Sequence, residues 1–362
     1  MSPRISRAGR VFPVAKGSKC VQNSLVRSTN NNSEAFFRRT RVRLSCEARR
    51  LPKCKKHRAR GGCLTIAACY VTAEGVVLGA DSTLTVLVSA AGQTGYHYFN
   101  HNQKLLEVGQ NSTLGIVTWG LGSLEGLSYR TLVAQMADQL APNLARTMPE
   151  DAAKHWVSIF HPKYAAAIAS VSQWTQLVAK PPFDPKAATP NPSARTQDEE
   201  KTFEQFKAGL TVGFCLGGYS LPDRIPQAYI TIFAPTDIKP PTPIKLVQGQ
   251  YGFWGAPNMV ERLIFGRDAG LMSKLKESGK WVGTDAELVA IVNSHQLHHG
   301  PVPMRDAIDF IHTCIFSTIK AIKFSNLPQI CGGPIELAVI TTDRNFRWVR
   351  HKTWDTAVTQ GE

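Results

Sequence analysis

Residues 65–81 constrain the fold more than any other stretch. Thr65-Ile66-Ala67-Ala68-Cys69-Tyr70-Val71 is a β-rich apolar run, Ala73-Glu74-Gly75 is a turn, and Val76-Val77-Leu78-Gly79-Ala80 is a second apolar run that stops at Asp81. Two adjacent runs without polar alternation predict a buried hairpin. Further strands are expected at 96–99, 104–108 and 114–118, then a helix from about Ser123 carrying Leu124, Leu127, Leu132, Met136 and Leu140 on one stripe. A second helix is expected over 151–177. Strands return at 210–216, 228–233 and 244–247, and helices at 256–265 and 285–297. A long helix follows over 304–324, with Ala307, Ile308, Ile311, Cys314, Ile315, Ile319 and Ile322 on one face. Strands at 335–341 and 346–349 close the chain. Blocks of strands and helices segregated in this order predict an α+β domain, with helices layered on antiparallel sheets.

Charge divides the chain in two. The formal net charge is +15, but 17 of the 42 Lys and Arg and only 2 of the 27 Asp and Glu fall in residues 1–64, leaving 25 of each sign in 65–362. The excess therefore says nothing about the function of the larger segment. Residues 1–64 lack apolar periodicity and read as a basic, disordered extension. A nucleic-acid-binding arm, a transit peptide, a propeptide, or mis-assigned upstream sequence ahead of a true start at codon 64 would each account for it. Cys46, Cys54, His57 and Cys63 fit no standard zinc spacing. The prolines at 181, 182, 185, 190 and 192, followed by Asp198-Glu199-Glu200, mark 181–202 as an exposed loop insertion. Neither of the longest apolar runs, at 84–91 and 164–171, approaches the length of a membrane span. Phosphate-loop, dinucleotide and zincin motifs are all missing, so no cofactor or metal is expected. The four scattered cysteines of 65–362 suit a reducing, cytoplasmic setting.

The stretch from Thr65 to Gly120 resembles the proteasome β-type family of N-terminal nucleophile hydrolases, which includes the bacterial ATP-dependent protease peptidase subunit. The points of likeness are Thr65, the turn glycine Gly75, Val76-Val77-Leu78, and Ala80-Asp81-Ser82, with Asp81 sixteen positions after Thr65. Lys104 opens a following strand, as the family's lysine does, but arrives several residues late, which places an insertion between Val86 and Tyr98. Gly120 ends the next strand before a helix. The resemblance implies a four-layer α-β-β-α sandwich over 65–362. It also implies a threonine-type peptidase acting on peptides or unfolded proteins, assembled as a homo-oligomeric ring or barrel, with an ATPase partner an open question. In that scheme Thr65 is the nucleophile and its own α-amine the base, Lys104 lowers the amine's proton affinity, Asp81 holds Lys104, and the Gly120 N–H receives the oxyanion.

Each of these residues also has an ordinary reading: Thr65 a strand residue, Asp81 a turn cap, Lys104 a surface lysine and Gly120 a helix-entry glycine. Two departures suggest either a divergent, bacterial-like member or a non-catalytic, structural subunit. The family's accessory serine precedes a helix in a Gly-Ser-Gly-like turn, whereas Trp254-Gly255-Ala256-Pro257 has no serine. A family aspartate precedes a Ser-Gly-Gly turn, whereas here Pro328 precedes Cys331-Gly332-Gly333. The Gly332-Gly333 pair by itself reads as a simple turn, and Trp119 as core. Cys63 is a second candidate nucleophile but loses the sixteen-residue interval. A Thr65 amine requires either cleavage after Leu64 or translation from codon 64. The non-catalytic reading and nucleic-acid binding through 1–64 are the readings left if that arm is retained.

Overall fold

The computed structural model describes residues 65–90, 93–124, 126–185, 191–294, 296–297 and 299–352. The basic extension, with its cysteines and His57, lies outside them, as does the Leu64 side of the Leu64–Thr65 bond.

The expected hairpin is strand β1 (Ile66–Val71) with β2 (Gly75–Ala80), and every residue of both is buried. Burial on both faces needs cover on both faces, and alternation divides the side chains between two cores. Ala67, Cys69 and Val71 enter one cluster, while Ile66, Ala68 and Tyr70 enter another. The hairpin lies in a five-stranded antiparallel sheet that also holds β10 (Tyr251–Gly255), β11 (Glu336–Thr341) and β12 (Arg344–Arg350), in the order β10-β1-β2-β11-β12. A second antiparallel sheet runs β5-β6-β7-β8-β9, formed by Leu105–Glu107, Leu114–Gly120, Val212–Gly218, Gln227–Phe233 and Ile244–Leu246.

Three clusters join these parts. Ala67, Leu78 and Ala338 of the first sheet pack with Leu105, Val117 and Cys215 of the second. Helix α8 (Met304–Lys323) lays Ala307, Ile311, Cys314 and Ile315 against Ile66, Ala68 and Val77, together with Val260 of α5 (Asn258–Phe265). Helices α1 (Tyr129–Leu140) and α2 (Pro149–Ser170) cover the other sheet, where Met136, Trp156 and Phe160 meet Ile116, Phe214 and Phe233. Burying each such large side chain contributes on the order of 1.5–3 kcal/mol. Among the described residues no helix is long and apolar enough to cross a membrane.

Several boundaries differ from the sequence reading. The first helix starts at Tyr129, where the Ser128 hydroxyl caps it by accepting from the Arg130 N–H at 3.2 Å. Leu124 is still buried, but in an irregular segment before the helix. The helix expected over 151–177 breaks at Val171 into α2 and α3 (Ser172–Val178). The end of the presumed loop insertion is helical: α4 (Gln197–Leu210) begins with a capping box between Thr196 and Glu199. Its acidic cluster fills the first turn, where carboxylates favour the exposed N–H groups. Strand β10 and helix α6 (Ala269–Glu277) escaped the sequence reading. The insertion expected between Val86 and Tyr98 is a two-stranded ribbon, β3 (Leu84–Ala90) with β4 (Gln93–Phe99).

Candidate active site

The hairpin delivers Asp81 just beyond the end of β2. Its backbone N–H donates to the Ile66 carbonyl at 3.0 Å, which sets the carboxylate beside the start of β1. Four donors reach that carboxylate. The Lys104 ammonium donates to Oδ1 at 2.7 Å and the Ile66 N–H to the same oxygen at 3.0 Å. The Gly332 N–H donates to Oδ2 at 2.8 Å and the Thr83 N–H at 3.2 Å. A carboxylate offers about four lone-pair positions, so its capacity is filled.

Asp81 is fully buried and Lys104 is 3% exposed, so a surface lysine and a simple turn cap are both excluded. Lys104 immediately precedes β5. Its carbonyl accepts from the Thr118 N–H at 2.9 Å, which anchors it to β6, and its ammonium also donates to the Thr83 carbonyl. A lysine held between a carboxylate and a carbonyl has lost its rotamer freedom and presents a fixed positive charge.

Thr65 is buried and directly precedes Ile66, whose N–H shares Asp81 Oδ1 with Lys104. Gly255, at the end of β10, lies against Thr65. At its φ of +90° a side chain is strained, and a Cβ there would fall 2.0 Å from the Thr65 carbonyl oxygen. Thr65, Asp81 and Lys104 are thus brought together through one carboxylate. Gly120 ends strand β6, two residues after Thr118, and lies against Thr211 and Val212. Its φ is also +90°, and a Cβ there would lie 2.3 Å from the Thr211 carbonyl oxygen.

The turn Cys331-Gly332-Gly333 belongs to this site. Besides the Gly332 N–H on Asp81, its carbonyl accepts from the Ser82 N–H at 3.0 Å. Burial pushes the Cys331 thiol up to about 12; the Asp81 charge pushes the same way and Lys104 opposes it. Cys331 therefore stays a neutral thiol at physiological pH rather than a nucleophile. Trp119, beside Gly120, stacks on Trp254 with ring centroids 4.6 Å apart and packs in the core between the sheets. No serine stands in 254–257, where the structure puts the end of β10 and the entry to α5.

Sequence reasoning missed a second pair, one with a buried carboxylate and a partly buried lysine. Glu336, fully buried, opens β11 opposite Ala80. Lys352 lies 3.3 Å from it, His351 3.4 Å, and Lys352 also donates to the Asn102 carbonyl at 3.0 Å. Burial lowers the Lys352 ammonium's proton affinity, with Arg130 and Lys104 adding repulsion and Glu336 opposing it. One signal in the sequence was available: a charged residue at the head of an otherwise apolar strand. Among the described residues no three His, Cys, Asp or Glu side chains gather as a metal site would require.

No family model matches the chain, and no curated protein matches it. Among solved structures the chain is similar to a Gly-1 mutant of Anbu from Hyphomicrobium sp. strain MC1. The identity is 12% and the TM-score 0.37, over 82% of this chain and 90% of that one.

Proposed function

We propose that residues 65–362 form a four-layer α-β-β-α sandwich of the N-terminal nucleophile type, working as a threonine peptidase. The supporting observation is the buried Asp81–Lys104 pair, whose shared oxygen also takes the N–H of the residue after Thr65. A free threonine amine has a proton affinity near pH 7.7–8.0, at about the working range of a base. An ammonium beside it lowers that value and keeps the amine neutral. In this reading Asp81 keeps Lys104 aimed.

The Thr65 hydroxyl oxygen attacks the peptide carbonyl carbon while the amine takes its proton. The Gly120 N–H stabilises the oxyanion, an interaction worth about 3–4 kcal/mol for one well-placed donor. Collapse of the tetrahedral species breaks the C–N bond, and the proton passes to the departing amine. Water then attacks the ester, releases the carboxylate product and restores the hydroxyl.

The scheme requires Thr65 to be the first residue of the mature chain, through cleavage after Leu64 or a start at codon 64. The deciding experiment measures the intact mass and N-terminal sequence of the native protein, together with cleavage of fluorogenic peptides by it and by Thr65→Ala. A chain beginning at Thr65, whose activity vanishes in the variant, supports the proposal. A mature chain that keeps residues 1–64 refutes it and brings forward the non-catalytic subunit or nucleic-acid binding by the basic arm.

One observation favours a second reading, a non-catalytic subunit of a proteasome-like assembly. Gly255 packs on the Thr65 carbonyl, and the segment 254–257 brings no hydroxyl to that end of the molecule. A chain beginning at Thr65 that cleaves no peptide selects this reading. A homo-oligomeric ring, a peptide or unfolded-protein substrate, an ATPase partner and a cytoplasmic location belong to the proposal as its expected setting.

A further inference from the structure

A cleft of about 960 Å³ opens beside the candidate site. Gln103, next to Lys104, and Gly122, two residues past Gly120, both line it. A substrate held at Gly120 would therefore have this cleft within reach of a neighbouring side chain. The volume falls in the range of about 300–1,000 Å³ typical of ligand pockets.

Among the described residues, the charged residues on its wall are all basic or imidazole: His101, Arg130, His351 and Lys352. The carboxylate that partners this wall, again among the described residues, is Glu336, which is fully buried and pairs with His351 and Lys352. Counted over the described residues, one buried negative charge against Arg130 and Lys352 leaves one positive charge in excess, before either imidazole is protonated. Arg130 is exposed, and its guanidinium is steadied by the Gln103 side-chain oxygen, which occupies only one of its five N–H donors. Repulsion from Arg130 and Lys104 is among the forces acting on Lys352. A carboxylate entering the cleft would relieve that repulsion and meet a guanidinium suited to bidentate binding.

We infer that this cleft is a substrate subsite for an acidic side chain, and that the chain acts on peptides with Asp or Glu next to the bond it cuts. The inference rests on the peptidase reading and deepens it. Tyr129 and Leu127 complete the wall and suit the methylene stem of such a residue.

The test measures binding and cleavage separately. Fluorescein-labelled Ser/Ala peptides carry a single Glu, moved one position at a time, and each is matched to a Gln counterpart. Binding to the full chain with Thr65→Ala is followed by anisotropy at low salt. At one position the Glu peptide is expected to bind about tenfold tighter than its Gln partner, equivalent to about 1.4 kcal/mol. The ratio should fall as salt rises. Arg130→Glu, a change at an exposed site on the first turn of α1, should reverse the preference in favour of a Lys peptide. Equal binding of every Glu and Gln pair overturns the inference, as does a preference that survives Arg130→Glu unchanged. Cleavage by the unmutated chain, read by mass spectrometry, keeps the two ideas apart. Cleavage without acidic preference sinks the subsite alone. Acidic preference in binding without cleavage of any peptide leaves the subsite standing and sinks the peptidase reading.

Discussion

Replacing Asp81 by Asn keeps the shape of the side chain but removes the charge and one acceptor. Both oxygens are fully used in the structure. Oδ1 serves Ile66 and Lys104, and Oδ2 serves Gly332 and Thr83. An amide has one oxygen, so one of these pairs must face an NH2 group in either flip. Two buried donors lose their partner each time, at about 1–3 kcal/mol apiece. Lys104 is also left buried without its counter-ion, a loss of about 3–5 kcal/mol where one member of a buried pair is removed. These estimates overlap in part, so about 4 kcal/mol is expected for Asp81→Asn. In guanidinium, with a denaturant slope near 4 kcal/mol per molar, that moves the unfolding midpoint down by about 1 M. The double variant Asp81→Asn with Lys104→Met removes the stranded charge and should recover part of the loss, because the two positions are coupled. A midpoint shift under about 0.2 M for the single variant would show that water reaches this carboxylate, and would refute the reasoning.

Four further outcomes follow from particular contacts. Thr65→Ala should lower peptidase turnover by at least about a thousandfold while leaving the unfolding free energy within about 1 kcal/mol of the parent, measured side by side. Gly120→Ala sets a Cβ against the Thr211 carbonyl oxygen at a left-handed φ, so it should cost about 1–3 kcal/mol or more in denaturant titration. Iodoacetamide at mildly alkaline pH should leave Cys331 unmodified in the native chain and label it after denaturation, since the thiol is buried and raised to about 12; rapid native labelling would contradict its placement. Burial disfavours the charge on Asp268, but Arg262 and the N–H groups of Leu271 and Gly270 more than offset this and hold its carboxyl below the usual value. Its contribution is therefore fully present above the unfolded-state value near pH 4 and is lost as pH falls through the depressed folded-state value. Asp268→Asn should flatten that acid limb of the stability curve.

The hairpin, the two paired sheets and the amphipathic helix α8 were legible because their cores are written in local alternation and helical spacing. Asp81 and Lys104 were legible as types in order along the chain, but their burial was not. Lys104 comes late because the ribbon β3–β4 lies between them, and an insertion is visible in sequence only as delay. Glu336 and Lys352 stayed hidden because their partnership joins a strand head to a residue beyond the last strand, with no pattern linking the two. Strand β10 was hidden because Tyr251-Gly252-Phe253-Trp254-Gly255 carries two glycines and is only partly buried, so neither alternation nor a full apolar run marks it. Helix α4 was misread because an acidic run after prolines suits an exposed loop as well as a helix start.

The Gly332 N–H that completes the setting of Asp81 comes from 251 residues further along the chain. A ribosome would finish the nucleophile, the lysine and the glycine of the candidate site long before it makes the turn that holds the carboxylate in place. Until then Asp81 lacks one of its four donors and Ser82 lacks the carbonyl it binds. Chemistry that depends on this carboxylate is therefore tied to the near-completion of the domain, and a nascent or truncated chain carries the reactive residues without their geometry. Long-range closure of this kind is slow compared with hairpin formation. In the peptidase reading, an unfinished chain would therefore lack the donor that completes the setting of Asp81.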